Sequence, residues 1–167
     1  MRKEIPYDQY LPEVENQLKS GGLFLTSKVD NKVNTMVIGW GGIVFFWEKP
    51  AFLVPVRKSR YTHELIEKSG EFTVSVPLNK NLKEAINFCG TNSGRDIDKL
   101  KECNLTALPG IKVDTPVIGE CPLHYECKVI YKHELTPENL DPEINKKFYP
   151  NYHTFFLGEI VACYLTE

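Results

Sequence analysis

Residues Arg57-Lys58-Ser59-Arg60-Tyr61-Thr62 place three cations and two aliphatic hydroxyls within six positions. An apolar run, Ala51 to Val56, precedes them, and a segment with helical signals follows, so the chain here leaves a strand and enters a helix. The first N–H groups of a helix lack intrahelical acceptors and carry the positive end of its dipole. A phosphate monoester needs that combination: donors for several oxygens and compensation for about two negative charges. Arginine adds a fork that engages two oxygens at once. A solvated basic turn is the competing reading of the same residues. There is no Walker loop, so nucleoside triphosphate chemistry is not indicated.

Two further segments carry polar groups into apolar surroundings. In Asn34-Thr35-Met36-Val37-Ile38-Gly39-Trp40, polar side chains enter an apolar strand and a glycine precedes a tryptophan. Glycine in a strand marks close approach of a ligand or of another backbone. By itself the segment reads as a hairpin strand whose Asn and Thr are satisfied by neighbours and whose tryptophan fills the core. In Phe88-Cys89-Gly90-Thr91-Asn92-Ser93-Gly94-Arg95-Asp96, small and polar residues join one helix stop to the next helix start, with Lys99 beyond. Such a loop can wrap a polar chain, or it can simply connect two helices.

The elements that must position these segments are mostly β. Leu23–Val29 meets Val33–Gly39 across Asp30-Asn31-Lys32 as a hairpin. Ile43–Trp47 follows a turn at Gly41-Gly42, Lys49-Pro50 breaks the run, and Ala51–Val56 resumes it. Phe72–Val76, Leu123–Tyr131 and Phe155–Leu165 complete the strands. Runs this apolar imply strands covered on both faces, as in a closed barrel. Helices are expected over 11–19, after an N-cap at Thr62 with Gly70 as C′, from Asn81 to Phe88 with Gly90 as the stop, and after a cap at Asp96. Residues 136–152 read as a long Pro- and Asn-rich loop with a role over a site or at an interface. The expectation is an α+β chain, mostly β: one domain over 1–167, a split barrel of about six or more antiparallel strands with two to four short helices.

Bulk properties remove several classes. Twenty basic residues against 22 acidic ones leave a formal charge of −2, so no general field draws nucleic acid or an anionic membrane. Any bound anion must be held by a local cluster. The charged start lacks a secretory h-region, and the longest apolar stretch, Gly39 to Trp47, is too short for a bilayer span. The five cysteines are scattered, odd in number and without a CxxC pair, which fits a cytoplasmic setting. Cys121, His124 and Cys127 match no zinc spacing and read as small buried residues, so no metal is expected.

Taken in order, the three segments resemble the flavin reductase-like, FMN-binding split-barrel family, in particular its flavoredoxin branch. The resemblance covers Gly21 through Ala162. It includes Ser59-Arg60-Tyr61-Thr62 followed by His-Glu-Leu-Ile, Gly70-Glu71-Phe72, Phe88-Cys89-Gly90, Ser93-Gly94-Arg95-Asp96 with Lys99, and His153 followed by Phe156-Leu157-Gly158-Glu159-Ile160. It implies a homodimer with FMN near the subunit interface. Ser59, Arg60 and Thr62, with help from Lys58, would hold the flavin phosphate. Asn34, Thr35, Met36, Val37 and Trp40 would line the ring. Asn92, Ser93, Gly94 and Lys99 would meet the ribityl chain or the pyrimidine side, and His153 would stand near the open face. Two departures stand out: Lys58 replaces a proline common among relatives, and some relatives run on past the last strand.

Flavin chemistry asks for no triad and no general base, and neither is evident. A GxGxxG fingerprint is also missing, so NADH or NADPH would lie directly on the flavin. The resemblance leaves an NAD(P)H-dependent flavin or ferric reductase, an electron carrier served by a reduced ferredoxin-type donor, and an inert FMN binder as the functions to be separated.

Overall fold

Alternating side chains of Leu23–Val29, Ala51–Val56, Phe72–Val76, Leu123–Cys127 and Phe156–Ile160 bury one continuous apolar core, and the strands that carry them close around it. The computed structural model describes residues 1–167. In chain order it comprises β1 (Arg2–Glu4), α1 (Leu11–Ser20), β2 (Leu23–Val29), β3 (Lys32–Ile38), β4 (Gly42–Phe46), β5 (Lys49–Arg57), α2 (Tyr61–Ser69) and β6 (Glu71–Val76). There follow α3 (Lys83–Thr91), α4 (Lys99–Glu102), β7 (Ala107–Leu108), β8 (Val117–Ile118), β9 (Leu123–Glu134), a 3-10 turn at Pro137–Asn139, α5 (Pro142–Phe148) and β10 (His153–Thr166).

Eight strands form one antiparallel sheet in the order β3-β2-β6-β9-β10-β5-β4, with β1 also on β10. This is a split barrel: β3 and β4 are its two ends, joined by the short link 39–41. Curvature comes from the β9–β10 pair, whose register shifts between Leu157 and Gly158 and again between Ile160 and Ala162. Bulges of this kind bend and twist long strands. Gly158 is required there, because a Cβ would stand 2.5 Å from Phe72 Cζ and 2.8 Å from Cys127 Cβ. A second cluster, Phe24, Cys89, Leu105, Ile118 and Cys121, packs on the other face of β2. That strand is therefore covered on both sides, as its continuous apolar texture requires.

Several local expectations are corrected. Arg60, not Thr62, is the N-cap of α2, and Thr62 sits inside the first turn. Helix α3 starts after Leu82 rather than at Asn81 and runs through Gly90 to Thr91. Asp98, not Asp96, caps α4, its side chain accepting from Lys101 N–H. Trp47 and Glu48 are not strand but a two-residue turn with φ of 53° and 58°, the left-handed pair that tight hairpins favour. Pro50 is accommodated in β5 because it pairs only with Phe45, beyond the end of the β10 register at Ala51; its missing N–H faces no neighbour. The segment 136–152 is not featureless: Asp141 caps α5 by accepting from Glu143 and Ile144 N–H. No helix is long and apolar enough to cross a membrane.

Buried polar groups in the sheet are satisfied locally. Glu126, fully buried, accepts from the N–H groups of Ile111, Lys112 and Val113 and from the Tyr164 hydroxyl. His124, also fully buried, is bonded to Ser75 and Thr166. Burial, reinforced by Arg2, holds its imidazole down at about 4. An unfolded chain takes up this proton near its ordinary value of 6.5 while the native state refuses it, so native stability is complete above that pH and is lost as pH falls toward 4. Chemical denaturation is expected to show a loss of about 2 kcal/mol through this group between about pH 7 and pH 5. His124→Gln is expected to remove that step.

Candidate functional site

At the end of β5 the chain turns through Lys58–Arg60 into α2, and this turn forms one wall of a cavity of about 240 Å³. Strand β3 supplies Asn34 and Met36, the α3–α4 connection supplies Thr91 to Gly94, and Lys99 closes the floor. Arg57 and Arg60 lie on both this cavity and an adjoining slot of about 80 Å³, lined by Met36 to Trp40, Pro55 and His153. No aspartate or glutamate lines either space. Three cations (Arg57, Arg60, Lys99) therefore face a cavity without a compensating acid, in a chain whose formal charge is −2. The local field required of an anion site is present.

Each polar group has a defined anchor. The Asn34 amide donates to the Thr62 hydroxyl at 2.9 Å, tying β3 to the first turn of α2. Arg60 makes one long hydrogen bond, to the Gly90 carbonyl at 3.4 Å, so most of its donors remain for a ligand. Lys99 is 5% exposed, and its ammonium donates to the carbonyls of Thr35 and Cys89 at 2.9 and 2.8 Å. A third N–H is left over. Burial, against the opposing pull of Cys89 and with help from Arg60, lowers Lys99 to about 8, so it stays mainly charged at neutral pH. Ser59 accepts from the Asn151 amide at 2.7 Å, and Arg95 donates to the Ser59 carbonyl while stacking over Tyr61.

The far lip comes from the 136–152 segment. Arg57 donates to the carbonyls of Phe148 and Asn151 and stands over the Tyr149 ring. His153 pairs with Arg57 across the β5–β10 ladder and lies edge-on to Trp40, which is half-exposed. Burial first, then Arg57 and Arg60, hold His153 down at about 4. It is neutral at physiological pH, and its Nδ1 shares a hydrogen bond of 2.8 Å with the Tyr149 hydroxyl, which fixes the orientation of the ring.

Most of the residues expected from sequence converge here. Asn34, Met36, Ser59, Arg60, Thr62, Asn92, Ser93, Gly94 and Lys99 line the larger cavity, while Val37, Trp40 and His153 line the slot. Two do not reach it. Lys58 turns outward to an ion pair with Glu134 at 2.6 Å, and the Thr35 hydroxyl bonds to Thr26 in the core, offering only its carbonyl to Lys99. The sequence marks Arg57 only as one of three cations in the segment 57–62, and Tyr149 and Asn151 only as members of the 136–152 loop, with no individual role for any of them.

The seam of the split barrel thus holds an acid-free, three-cation cavity beside an aromatic slot. The model of the flavin reductase like domain matches residues 16–167, and the chain belongs to that family. It is similar to an uncharacterized protein of Archaeoglobus fulgidus, 35% identical over 131 residues, covering 78% of this chain and 64% of that protein. The chain thus spans less than two thirds of that relative. Among solved structures it is similar to the flavoredoxin of Desulfovibrio vulgaris (Miyazaki F), with 32% identity, TM-score 0.69, and coverage of 88% of this chain and 70% of the other. An FMN-binding domain of a flavin reductases-like enzyme from Shewanella baltica OS155 shares the fold, at 22% identity and TM-score 0.69 over 99% of this chain and 77% of the other.

Gly94 tests how tightly the site is assembled. A Cβ at this position would fall 1.9 Å from Asn34 Oδ1, so Gly94→Ala must displace the amide that holds Thr62. The expected cost is about 1–3 kcal/mol of unfolding free energy in denaturant titration, with Asn34→Ala already lacking the clash and Gly94→Ala in that background nearly neutral.

Proposed function

We propose that this cavity binds FMN and that the protein is an NAD(P)H-dependent flavin or ferric reductase, acting in the cytoplasm as a single functional unit over residues 1–167. The observation that carries the reading is the acid-free cavity with Arg60, Thr62 and the first turn of α2 on one wall and Lys99 on the other. The donor set suits an anionic tail: an arginine fork, a hydroxyl, and helix N–H groups at the positive end of a dipole. The five free cysteines fit a reducing compartment.

FMN, when bound, supplies hydride acceptance and onward electron transfer. The chain's own residues do the rest. Arg60 and Thr62 would hold the phosphate, and Arg57 would add charge at the junction of cavity and slot. Lys99, fixed by two carbonyls, is a pre-organised cation that would stabilise negative charge on a bound group without reorganisation. Neutral His153, oriented by Tyr149, lines the slot without adding charge. Trp40 and Phe148, edge to face with ring centroids 5.2 Å apart, form an apolar lip that would orient a nicotinamide donor and exclude water.

The second reading is a flavoredoxin-type carrier that takes electrons from a protein donor such as a reduced ferredoxin. The 32% identity to a flavoredoxin favours it. Anaerobic mixing separates the two. Rapid bleaching of the flavin band by NADH or NADPH is expected for the reductase. Bleaching only by a reduced protein donor would select the carrier, and a colourless protein that does not take up added FMN would remove both. Arg60→Ala is expected to weaken FMN binding about 10- to 100-fold in a fluorescence-quench titration, the worth of a charge-assisted bond. Lys58→Ala, already committed to Glu134, is expected to change it less than about threefold.

We also propose a homodimer. Phe45, Phe46 and Trp47 on the end strand β4 and its turn are more than half exposed, with Tyr131 beside Trp47; an aromatic patch of this kind is normally covered. Light scattering is expected to give twice the 19.1 kDa chain mass, and Phe46→Asp together with Trp47→Asp to give a folded monomer.

A further inference from the structure

Two thiols outside the cavity bracket the part of the chain that forms its far wall. Cys89 lies in α3 and Cys103 directly follows α4, with their sulfurs 3.9 Å apart and both free. Between them run Thr91, Asn92, Ser93 and Gly94, then Lys99: the whole contribution of the α3–α4 region to the larger cavity. Lys99 is bonded to both ends of this segment. Its ammonium donates to the Cys89 carbonyl, and its own carbonyl accepts from Cys103 N–H. Neither cysteine lines the cavity.

We propose that Cys89 and Cys103 form a redox-active dithiol, oxidised reversibly by a peroxide to a disulfide that clips the 89–103 segment and tightens the cavity around its ligand. Only the last clause rests on the FMN reading; the bond itself does not. The sulfurs need to close from contact distance to about 2.05 Å, across one short loop and within one packed cluster. Their exposure sets the order of events. Cys103 is partly exposed, whereas Cys89 is fully buried among Phe24, Leu105, Ile118 and Cys121. Burial first, then the neighbouring Cys103, push the Cys89 thiol up to about 12, so it does not meet the oxidant as a thiolate.

The Cys103 thiolate attacks the O–O bond of the peroxide. A sulfur–oxygen bond forms, hydroxide leaves and is protonated to water, and Cys103 becomes a sulfenic acid. The Cys89 thiol then attacks the Cys103 sulfur; the S–S bond forms, the S–O bond breaks, and the second water departs with the Cys89 proton. Two thiols have lost two electrons and two protons, and one peroxide has become two waters. A dithiol reductant reverses the bond by exchange. Transient, sensing disulfides are the kind that reducing compartments tolerate. The cross-link removes conformations from the segment before a ligand arrives, so less ordering remains at binding.

The test uses the whole protein with hydrogen peroxide as oxidant and dithiothreitol as reductant. After peroxide, intact mass is expected to fall by about 2 Da, and denatured protein to alkylate at three of its five cysteines, with peptide mapping joining Cys89 to Cys103. Dithiothreitol is expected to restore all five, and Cys103→Ser to abolish the change. The oxidised protein is expected to bind FMN about 3- to 10-fold more tightly and to exchange the amides of residues 92–98 more slowly. Five alkylated thiols after peroxide, or a link through any other cysteine, would overturn the dithiol. A Cys89–Cys103 link with unchanged amide exchange would overturn the clip. Failure of both redox forms to bind FMN would instead count against the cofactor reading, with the mass and exchange results still deciding this one.

Discussion

A buried ammonium without a carboxylate is the constraint around which the site is organised. Lys99 is almost fully enclosed, and its charge is carried by two backbone carbonyls, Thr35 on β3 and Cys89 on α3. Taking a cation out of water costs several kcal/mol unless its donors are met, so those carbonyls must stay where they are. The bond pair thereby fixes α3 and α4 against the end strand of the sheet. Because no acid neutralises the charge, its field extends into the space between them. The same arrangement that holds the fold together at this corner leaves the cavity positive.

The barrel supplies the second half of the arrangement. Bulges in β9 and β10 bend the long hairpin until β5 and β10 bring Arg57 and His153 opposite each other, next to the seam left by β3. Residues distant in sequence meet there because the sheet does not close completely. Asn34 and Thr62 then join the seam's two sides through one hydrogen bond. The cationic cavity and the aromatic slot are adjacent spaces that share Met36, Arg57 and Arg60, an arrangement that suits the proposed ligand, with its charged tail and flat head.

The order of strands and the basic turn were legible in the sequence because each depends on local signals: apolar runs, hairpin residues, and clustered cations before a helix. What the sequence left open depended on pleat and register. The resemblance aims contiguous residues Asn34 to Val37 at the ligand, whereas a strand sends alternate side chains to opposite faces, and Thr35 turns its hydroxyl into the core. Among three closely spaced cations, composition could not distinguish Arg57, held at the cavity by the carbonyls of Phe148 and Asn151, from Lys58, drawn outward by Glu134. Helix caps slipped by two residues at Thr62 and Asp96, since Thr62 was spent on Asn34 and Asp98 had the right geometry for Lys101. Asn151 gave no signal, because its partner Ser59 is far away along the chain.

The grip of Arg57 on the 136–152 segment has an evolutionary reach. Its guanidinium seizes the main-chain oxygens of Phe148 and Asn151, not their side chains, so the route of this segment is dictated while its lettering is left open. Drift in α5 can therefore recolour the mouth of the slot without disturbing the barrel beneath. A lineage could alter what reaches the slot by rewriting the surface strap 136–152, with the cationic half of the pocket inherited unchanged.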